Sequence, residues 1–186
     1  MTIHLIIRPA REEDAPALAR VHVDTWRTTY NGIVPDEHLA SLSYAKREKI
    51  WKEWLARPAE EVTNYAAVTP AGEVVGFAVC GLLRDDIPGF DGELYGLYIL
   101  KAFQGIGIGR RLVQQAAMDV ASRGCSTMVA WVLKDNPSCR FYERLGGQPV
   151  AEKTVEIGGK ELVEVAYGWR ELSELLRPEN HPSDLP

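Results

Sequence analysis

The sequence predicts one domain of the α/β class, in which a mixed sheet of about seven strands carries helices on both faces. Segments with strand and helix patterns alternate through the middle of the chain, and hairpin connections lie on either side. The chain has 186 residues, which suits a single domain with a substantial core. We expect residues 1–177 to form this domain and residues 178–186 to be a loose C-terminal tail.

The first half of the chain combines β-branched runs with helical patterns. Its strands are predicted at Ile3–Arg8, Tyr65–Thr69 and Val74–Leu83, and its helices from an acidic first turn at Glu12–Asp14 to Asn31 and, in two pieces, from Pro35 to Arg57. Acidic residues in a first turn favour the helix dipole, and Pro58 ends the last piece. The short connection at residues 70–73 predicts a hairpin between the second and third strands.

The second half predicts the alternating part of the sheet. Its elements are a buried strand at Leu94–Leu100, a helix from about Gly107 to Ser122, a strand at Thr127–Leu133, a helix from Asn136 to Leu145, strands at Val150–Ile157 and Lys160–Gly168, and a short helix at Trp169–Leu176. Asn136 followed by Pro137 is typical of a helix start. Gly158 and Gly159 predict a two-residue hairpin turn between the last two strands.

Charge and cysteine content limit the possible partners. The net charge of −5 argues against a nucleic-acid partner and leaves a cationic amine substrate possible. Cys80, Cys125 and Cys139 have no metal-ligand spacing and form an odd number, so we expect neither a metal site nor a disulfide framework. No leader-like segment or long apolar run is present, so we expect a cytoplasmic protein without a membrane partner.

A glycine-rich turn between the central strand and the next helix is the strongest functional signal. Glycines let the backbone approach a ligand closely, and the free N–H groups at a helix start attract anions. The turn does not fit a P-loop, because Arg110 and Arg111 follow Gly109 where lysine and a hydroxyl residue are required. The dinucleotide fingerprint Gly-x-Gly-x-x-Gly also fails, because no glycine lies five residues after Gly105 or Gly107.

The pattern that does fit is Gln-x-x-Gly-x-Gly, formed by Gln104, Gly107 and Gly109. It resembles the pyrophosphate-binding motif of the GNAT superfamily of acetyl-CoA-dependent N-acetyltransferases. A glycine turn that merely joins a strand to a helix is the alternative interpretation. A second match opposes that alternative, because residues 136–147 resemble the Asn…Phe-Tyr-Glu-x-x-Gly segment that follows the fifth strand in this superfamily. The resemblance covers about residues 3–170.

The resemblance implies a cofactor site built mostly from backbone, with acetyl-CoA as co-substrate and its pantetheine arm between the splayed fourth and fifth strands. The implied cofactor-binding residues are Leu97, Tyr98, Ile99, Gln104, Gly105, Ile106, Gly107, Ile108, Gly109, Arg110, Asn136 and Tyr142. Many relatives carry a basic residue where this chain has Ile106. Arg110 or Arg111 is therefore a candidate to replace that cation.

The resemblance also implies a catalytic acid and a catalytic base. Tyr142 is the candidate acid for the leaving thiolate, with a core-filling tyrosine as the alternative. Glu93 is the candidate base, and strand alternation would place Glu93, Tyr95 and Leu97 on one face. A solvated carboxylate is the alternative for Glu93. A water chain, an amine bound in its neutral form, or His22 are other routes for the proton.

The acceptor side of the site is less clearly marked. Trp26 and Tyr30 are candidates for an aromatic wall, or for core residues, and Glu37 and Asp85 for an acidic amine pocket, or for solvated surface. The predicted function is acetyl transfer to a primary amine, small or peptidic, by direct attack in a ternary complex. A CoA-binding regulatory or interaction domain with little catalytic activity is the rival function. The resemblance also implies that the protein can form a homodimer.

Overall fold

A computed structural model gives the structure of residues 5–58 and 60–177, and the predicted tail lies outside the described residues. Strands in this part of the chain are β1 (Ile6–Pro9), β2 (Val62–Val68), β3 (Val74–Leu82), β4 (Gly92–Ile99), β5 (Met128–Leu133), β6 (Gln148–Ile157) and β7 (Lys160–Trp169). Helices are α1 (Ala15–Thr29), α2 (Asp36–Ser41), α3 (Tyr44–Leu55), α4 (Ile108–Ser122), α5 (Cys139–Arg144) and α6 (Ser173–Leu176).

The seven described strands form one mixed sheet in the order β1-β2-β3-β4-β5-β7-β6. β4 and β5 run parallel, while the other neighbouring strands run antiparallel. A parallel pair requires a crossover connection, and α4 supplies it. The predicted hairpins, β2–β3 and β6–β7, lie on either side of this crossover. This arrangement confirms the predicted fold class.

The helix α4 covers one face of the sheet. Its residues at helical spacing have no exposed surface: Leu112, Val113, Ala116, Ala117 and Val120. This stripe packs on β3 and β4, and each fully buried leucine or valine side chain contributes about 1.5–3 kcal/mol. The pattern in the sequence therefore predicted both the helix and its buried face.

The helices α1 and α3 pack on the opposite face. Leu18 and Val21 of α1 and Trp51 of α3 are fully buried with Phe77 of β3. The Trp51 ring meets the Phe77 ring edge-on, with 4.8 Å between centroids. Within the described residues, every helix is too short or too polar to span a lipid bilayer.

A β-bulge interrupts the alternation of β4. Val79 of β3 pairs with Gly96, but Cys80 pairs with Leu94, so Tyr95 has no partner in the ladder. Tyr95 consequently packs with the α1–α3 face, whereas Leu97 packs with the α4 face. The prediction that Leu97 would share a face with Tyr95 is therefore wrong, because an extra residue reverses the alternation of every side chain that follows.

The parallel strands β4 and β5 separate where this bulge begins. Their register covers Gly92–Leu94 on β4 and Met128–Ala130 on β5, and no pair follows within the described residues. The main chain of both strands beyond this point faces a gap, which is the splay that the resemblance implied.

Three helix boundaries differ from the sequence prediction. The acidic turn Glu12–Asp14 is a short 3-10 helix before α1. The helix α5 begins at Cys139, because the Asn136 side chain accepts a hydrogen bond from the Ser138 amide at 2.8 Å and forms a turn instead. Trp169 pairs with Met128 and extends β7, so α6 is confined to Ser173–Leu176.

Candidate active site

The gap between β4 and β5 opens into a cleft of about 580 Å³. Most of the predicted site residues line it: Tyr30, Leu97, Tyr98, Ile99, Gln104, Gly105, Gly107, Gly109, Arg110, Asn136 and Tyr142. Trp26, Glu37, Glu93, Ile106 and Ile108 do not line it. The fold thus brings the glycine turn and the second sequence motif to the same cavity.

The glycine turn has the conformation that close backbone approach requires. Gly107 has φ +87° and immediately precedes α4, a conformation that residues with a Cβ rarely adopt. A Cβ on Gly109 would lie 3.0 Å from the Phe141 ring, so a side chain there would crowd the floor of the cleft. The side chains between the glycines do not line the cleft: Ile106 is 51% exposed to solvent, and Ile108 is buried at 2% exposed.

Cations near the turn are arranged differently from the sequence prediction. Arg110 lines the cleft, but Arg111 donates to the Leu5 carbonyl at 2.9 Å and does not line it. Arg144, which sequence reasoning missed, also lines the cleft, and with Arg110 it lines an adjoining cavity of about 230 Å³. Gln104 donates to the Ile99 carbonyl at 2.9 Å and so joins the turn to the end of β4.

Tyr142 projects from α5 into the cleft. Its ring packs against Tyr167 and Trp169, with centroid distances of 6.0 and 6.2 Å. Burial is the main cause that raises the pKa of the Tyr142 phenol above its ordinary value, and the nearby Tyr98 and Cys139 add to the rise. The phenol is therefore protonated at neutral pH. Its hydroxyl makes no hydrogen bond to the rest of the described chain. Tyr142 can therefore donate a proton into the cleft.

Asn136 links the two sides of the cleft. The side chain is 6% exposed, and its oxygen accepts the hydrogen bond from Ser138 described above. Burial strongly raises the pKa of the Tyr30 hydroxyl, aided by Tyr98 and Tyr142, while Asn136 partly opposes the rise. The Tyr30 hydroxyl thus lies within a cluster of buried polar groups that includes the candidate acid.

Glu93 is engaged elsewhere. The carboxylate is 1% exposed and accepts hydrogen bonds from the Arg84 main-chain amide at 3.0 Å and from the Arg84 guanidinium at 2.5 and 3.3 Å. Arg84 in turn covers the Tyr95 ring at 4.0 Å. Glu93 therefore forms an ion pair with Arg84 outside the cleft, and its role as the base stays a prediction that this pairing argues against.

The acceptor side of the cleft is an aromatic cluster. Trp26 packs against Tyr30 at 4.7 Å between centroids, and His22 stacks on Tyr98 at 5.0 Å. Burial lowers the pKa of His22 to about 3, with a further contribution from Arg47, so His22 is neutral and a weak base. Tyr30 lines the cleft directly, whereas Trp26 does not line it and packs against the Tyr30 ring.

The two acidic candidates for the amine pocket lie on the surface. Glu37 is an exposed residue of α2. Asp85 is exposed and forms an ion pair with Lys153, whose ammonium group also lies 4.1 Å from the centroid of the Trp131 ring. Neither carboxylate lines the cleft.

A half-buried carboxylate that sequence reasoning missed is Glu164 of β7. It lies opposite Leu133 and on the same strand face as Leu162, which packs with Trp26 and Tyr30. Burial raises the pKa of Glu164, partly opposed by Lys153 at 3.9 Å. The Glu164 charge also raises the pKa of the Tyr30 hydroxyl. The available sequence signal was alternation, because a glutamate two residues after a buried leucine faces the same side.

The fold and the cleft define an acyl-CoA N-acyltransferase architecture, and comparisons with known proteins identify the family. The model of the acetyltransferase (GNAT) family matches residues 20–147. The uncharacterized N-acetyltransferase YuaI of Bacillus subtilis (strain 168) is 42% identical over 169 residues, covering 91% of this chain and 95% of the relative. The chain therefore belongs to the GNAT acetyltransferase family, as the two sequence motifs indicated.

Solved structures agree on the fold. PaiA N-acetyltransferase from Thermoplasma acidophilum, crystallised in complex with coenzyme A, has a TM-score of 0.67 at 19% identity and covers 88% of this chain and 98% of its own. A GCN5-related N-acetyltransferase from Rhodopseudomonas palustris has a TM-score of 0.70 at 22% identity, with 90% and 97% covered. At these identities the likeness concerns the fold alone.

Proposed function

We propose that this protein transfers acetyl from acetyl-CoA to a primary amine by direct attack in a ternary complex. The observation that carries the proposal is the convergence in one cleft of the glycine turn, the unpaired edges of β4 and β5, and the Tyr142 hydroxyl. Each part suits one portion of the reaction: anion binding, thioester alignment and protonation of the leaving sulfur.

The residues present fit coenzyme A as a substrate. The main chain of β4 after Leu94 can pair with the amides of the pantetheine arm, because β5 no longer does. The α4 N-terminus and the glycine turn present amides to the pyrophosphate. Arg110 and Arg144 supply the positive charge that Ile106 lacks.

Tyr142 serves as the acid in this proposal. A phenol that is protonated at neutral pH and free of hydrogen bonds within the described chain can donate to the departing sulfur. The tyrosine hydroxyl of Tyr167, in contrast, donates to Glu143 at 3.0 Å and has a partner already. The two neighbouring tyrosines therefore differ in their availability for catalysis.

Glu164 serves as the base, directly or through a water. An alkylammonium acceptor has a pKa of about 10.4 and must lose a proton before it can attack the thioester. A carboxylate whose pKa is raised by burial accepts that proton more readily than a solvated one. Glu164 does not line the cleft itself, but it shares a strand face with Leu162, which packs with Trp26 and Tyr30. Its contact with Lys153 is 3.9 Å long, whereas Arg84 holds Glu93 at 2.5 Å.

Calorimetry with acetyl-CoA, followed by a panel of amines assayed for free CoA release, tests the proposal. We expect acetyl-CoA to bind and at least one amine to accelerate CoA release. Varying both substrates should give intersecting double-reciprocal lines, because both must be bound together; parallel lines would indicate an acetyl-enzyme instead. Binding without turnover of any amine would favour the CoA-binding regulatory domain, and absence of acetyl-CoA binding would overturn both functions.

A further inference from the structure

Three aromatic residues from separate parts of the fold line the cleft. Tyr30 lies directly after α1, Tyr98 lies on β4 and Trp131 lies on β5. Tyr98 and Trp131 belong to the stretches of these strands that follow the last paired residues, Leu94 and Ala130. The two splayed strands and the end of α1 therefore each contribute an aromatic residue to the gap in which the thioester is proposed to lie.

The Tyr98 and Trp131 side chains project from the same face of the sheet. Tyr98 packs with the cluster on the α1–α3 face, where its ring lies 5.1 Å from that of Phe77 between centroids. On β5, the residues on either side of Trp131, Ala130 and Val132, pack with the α4 face. Strand alternation therefore directs Trp131 away from α4, to the side on which α1 lies.

These rings are held in place by neighbours. The Tyr30 ring packs against Trp26 at 4.7 Å between centroids, and the Lys153 ammonium group covers the Trp131 ring at 4.1 Å from its centroid. Tyr98 has the contact with the β3 ring described above. A ring that is already fixed loses little conformational freedom when a ligand packs against it, so these contacts favour binding.

The rings are uncharged as well as aromatic. Burial is the main cause that raises the pKa of the Tyr30 and Tyr98 phenols, so both are protonated at neutral pH. Among the described residues that line the cleft, the charged ones are Arg110 and Arg144, which also line the adjoining cavity beside α6. Neutral rings favour a ligand ring through stacked or edge-on contacts, whereas a charged group beside them would lose its hydration.

We propose that the acceptor is a primary amine on a short alkyl chain that ends in an uncharged aromatic ring, and that this ring packs against Tyr98 and Trp131. The inference rests on the proposed N-acetyltransferase function and adds the class of acceptor. The alkyl chain separates the ring from the amine, because the amine must reach the thioester near the Tyr142 hydroxyl. A flat ring also has few rotatable bonds to immobilise on binding.

Matched ligands test the proposal on the wild-type protein. Phenethylamine and cyclohexylethylamine differ in whether the ring is aromatic, and their N-acetyl products carry no charge, so amine basicity cannot affect product binding. By calorimetry with CoA-saturated protein, we expect the phenyl product to bind about twofold to twelvefold more tightly, since an aromatic pair contributes about 0.5–1.5 kcal/mol beyond its buried area. Phenylalanine, which adds a carboxylate, should have a lower kcat/KM than phenethylamine, although its ammonium group loses a proton more readily.

Trp131→Leu and Tyr98→Leu each replace a cleft-lining ring with an aliphatic side chain. Each should reduce the preference for the phenyl product about twofold or more, because an aromatic pair is lost. The acetyl-CoA dissociation constant should change less than about threefold, since the proposed contacts of β4 with CoA are made by its main chain. Tyr44→Leu is the control and should keep the wild-type preference, because Tyr44 is 45% exposed and does not line the cleft.

Failure of this inference is distinguishable from failure of the proposed function. An equal or weaker affinity for the phenyl product, or an unchanged preference in the folded Trp131→Leu and Tyr98→Leu proteins, would overturn the aromatic site while acetyl transfer stands. If no amine is acetylated, the binding comparison still decides, because it needs only CoA-saturated protein. A phenyl preference that the two variants lose supports the site, and absence of binding of both products to wild type overturns it.

Discussion

The two halves of the cleft are built in different ways. The cofactor half is a continuous stretch in which strand, glycine turn and helix follow one another, and it offers mainly backbone groups. The predicted acceptor half is assembled from side chains that are far apart in the chain, with Tyr30 directly after α1 and Tyr98 on β4. Backbone recognition suits the proposed co-substrate, whereas side chains can change singly to suit an acceptor.

The comparison also separates two carboxylates on the acceptor face of the sheet. Glu93 is almost completely buried and bound by Arg84, whereas Glu164 is half-buried and lies 3.9 Å from Lys153. A carboxylate already held by an arginine stabilises the loop that carries that arginine. A partly accessible carboxylate whose pKa burial raises is a better candidate for proton transfer.

Tyr142→Phe should have the largest effect, since Tyr142 acts where the two halves meet. We expect kcat to fall by about 10²- to 10⁴-fold, because a proton donor to the leaving group is lost. The acetyl-CoA dissociation constant, measured by calorimetry, should change only a few-fold. Tyr167→Phe is the control, because that hydroxyl is bonded to Glu143. Wild-type kcat in Tyr142→Phe would assign Tyr142 to packing alone.

Glu164→Gln tests the acceptor half. We expect kcat/KM at neutral pH to fall about 10²-fold, with partial recovery at higher pH as free amine becomes available. In wild type, kcat/KM should decline as pH falls through the raised pKa of Glu164, at a higher pH than a solvated glutamate would give. Glu161→Gln, at an exposed position of β7, should retain the wild-type profile. An unchanged profile in Glu164→Gln would show that water or the amine itself handles the proton.

Gly107→Ala tests the backbone half. Forcing a Cβ into the left-handed region costs about 1–2 kcal/mol, so we expect acetyl-CoA affinity to fall by about tenfold as the turn shifts. Gly124→Ala is a matched control, because Gly124 has φ +88° at the other end of α4 and lies outside the cleft. Both variants should lose similar thermal stability, but only Gly107→Ala should lose affinity. Equal affinities by calorimetry would remove the turn from the cofactor site.

Glu93→Gln should have the smallest effect on activity. We expect kcat/KM within a few-fold of wild type and a lower melting temperature, since the ion pair between the buried Glu93 and Arg84 is lost. Arg84→Met should lower the melting temperature similarly. A folded Glu93→Gln protein with more than a tenfold loss of kcat/KM at neutral pH would instead restore Glu93 as the base.

Local patterns in the chain were sufficient for most of the fold. The buried stripe of α4, the break between α2 and α3, and the Gly158–Gly159 hairpin all follow from spacing and turn chemistry, and all are observed. The errors concern Asn136, which forms a turn before α5, and Trp169, which extends β7. At Asn136 a local side-chain hydrogen bond to Ser138 outweighed the helix preference, and at Trp169 the long-range pairing with Met128 did so.

The sequence by itself determined the family, the architecture and the cofactor half of the cleft, because those properties depend on residues that are neighbours in the chain. Only the tertiary structure decided that a bulge at Tyr95 reverses the side chains of β4 and that Arg84 holds Glu93. Charges far apart in sequence come together only when the sheet and the helices pack. The proposed co-substrate site therefore follows from a contiguous motif, whereas the acceptor side depends on packing.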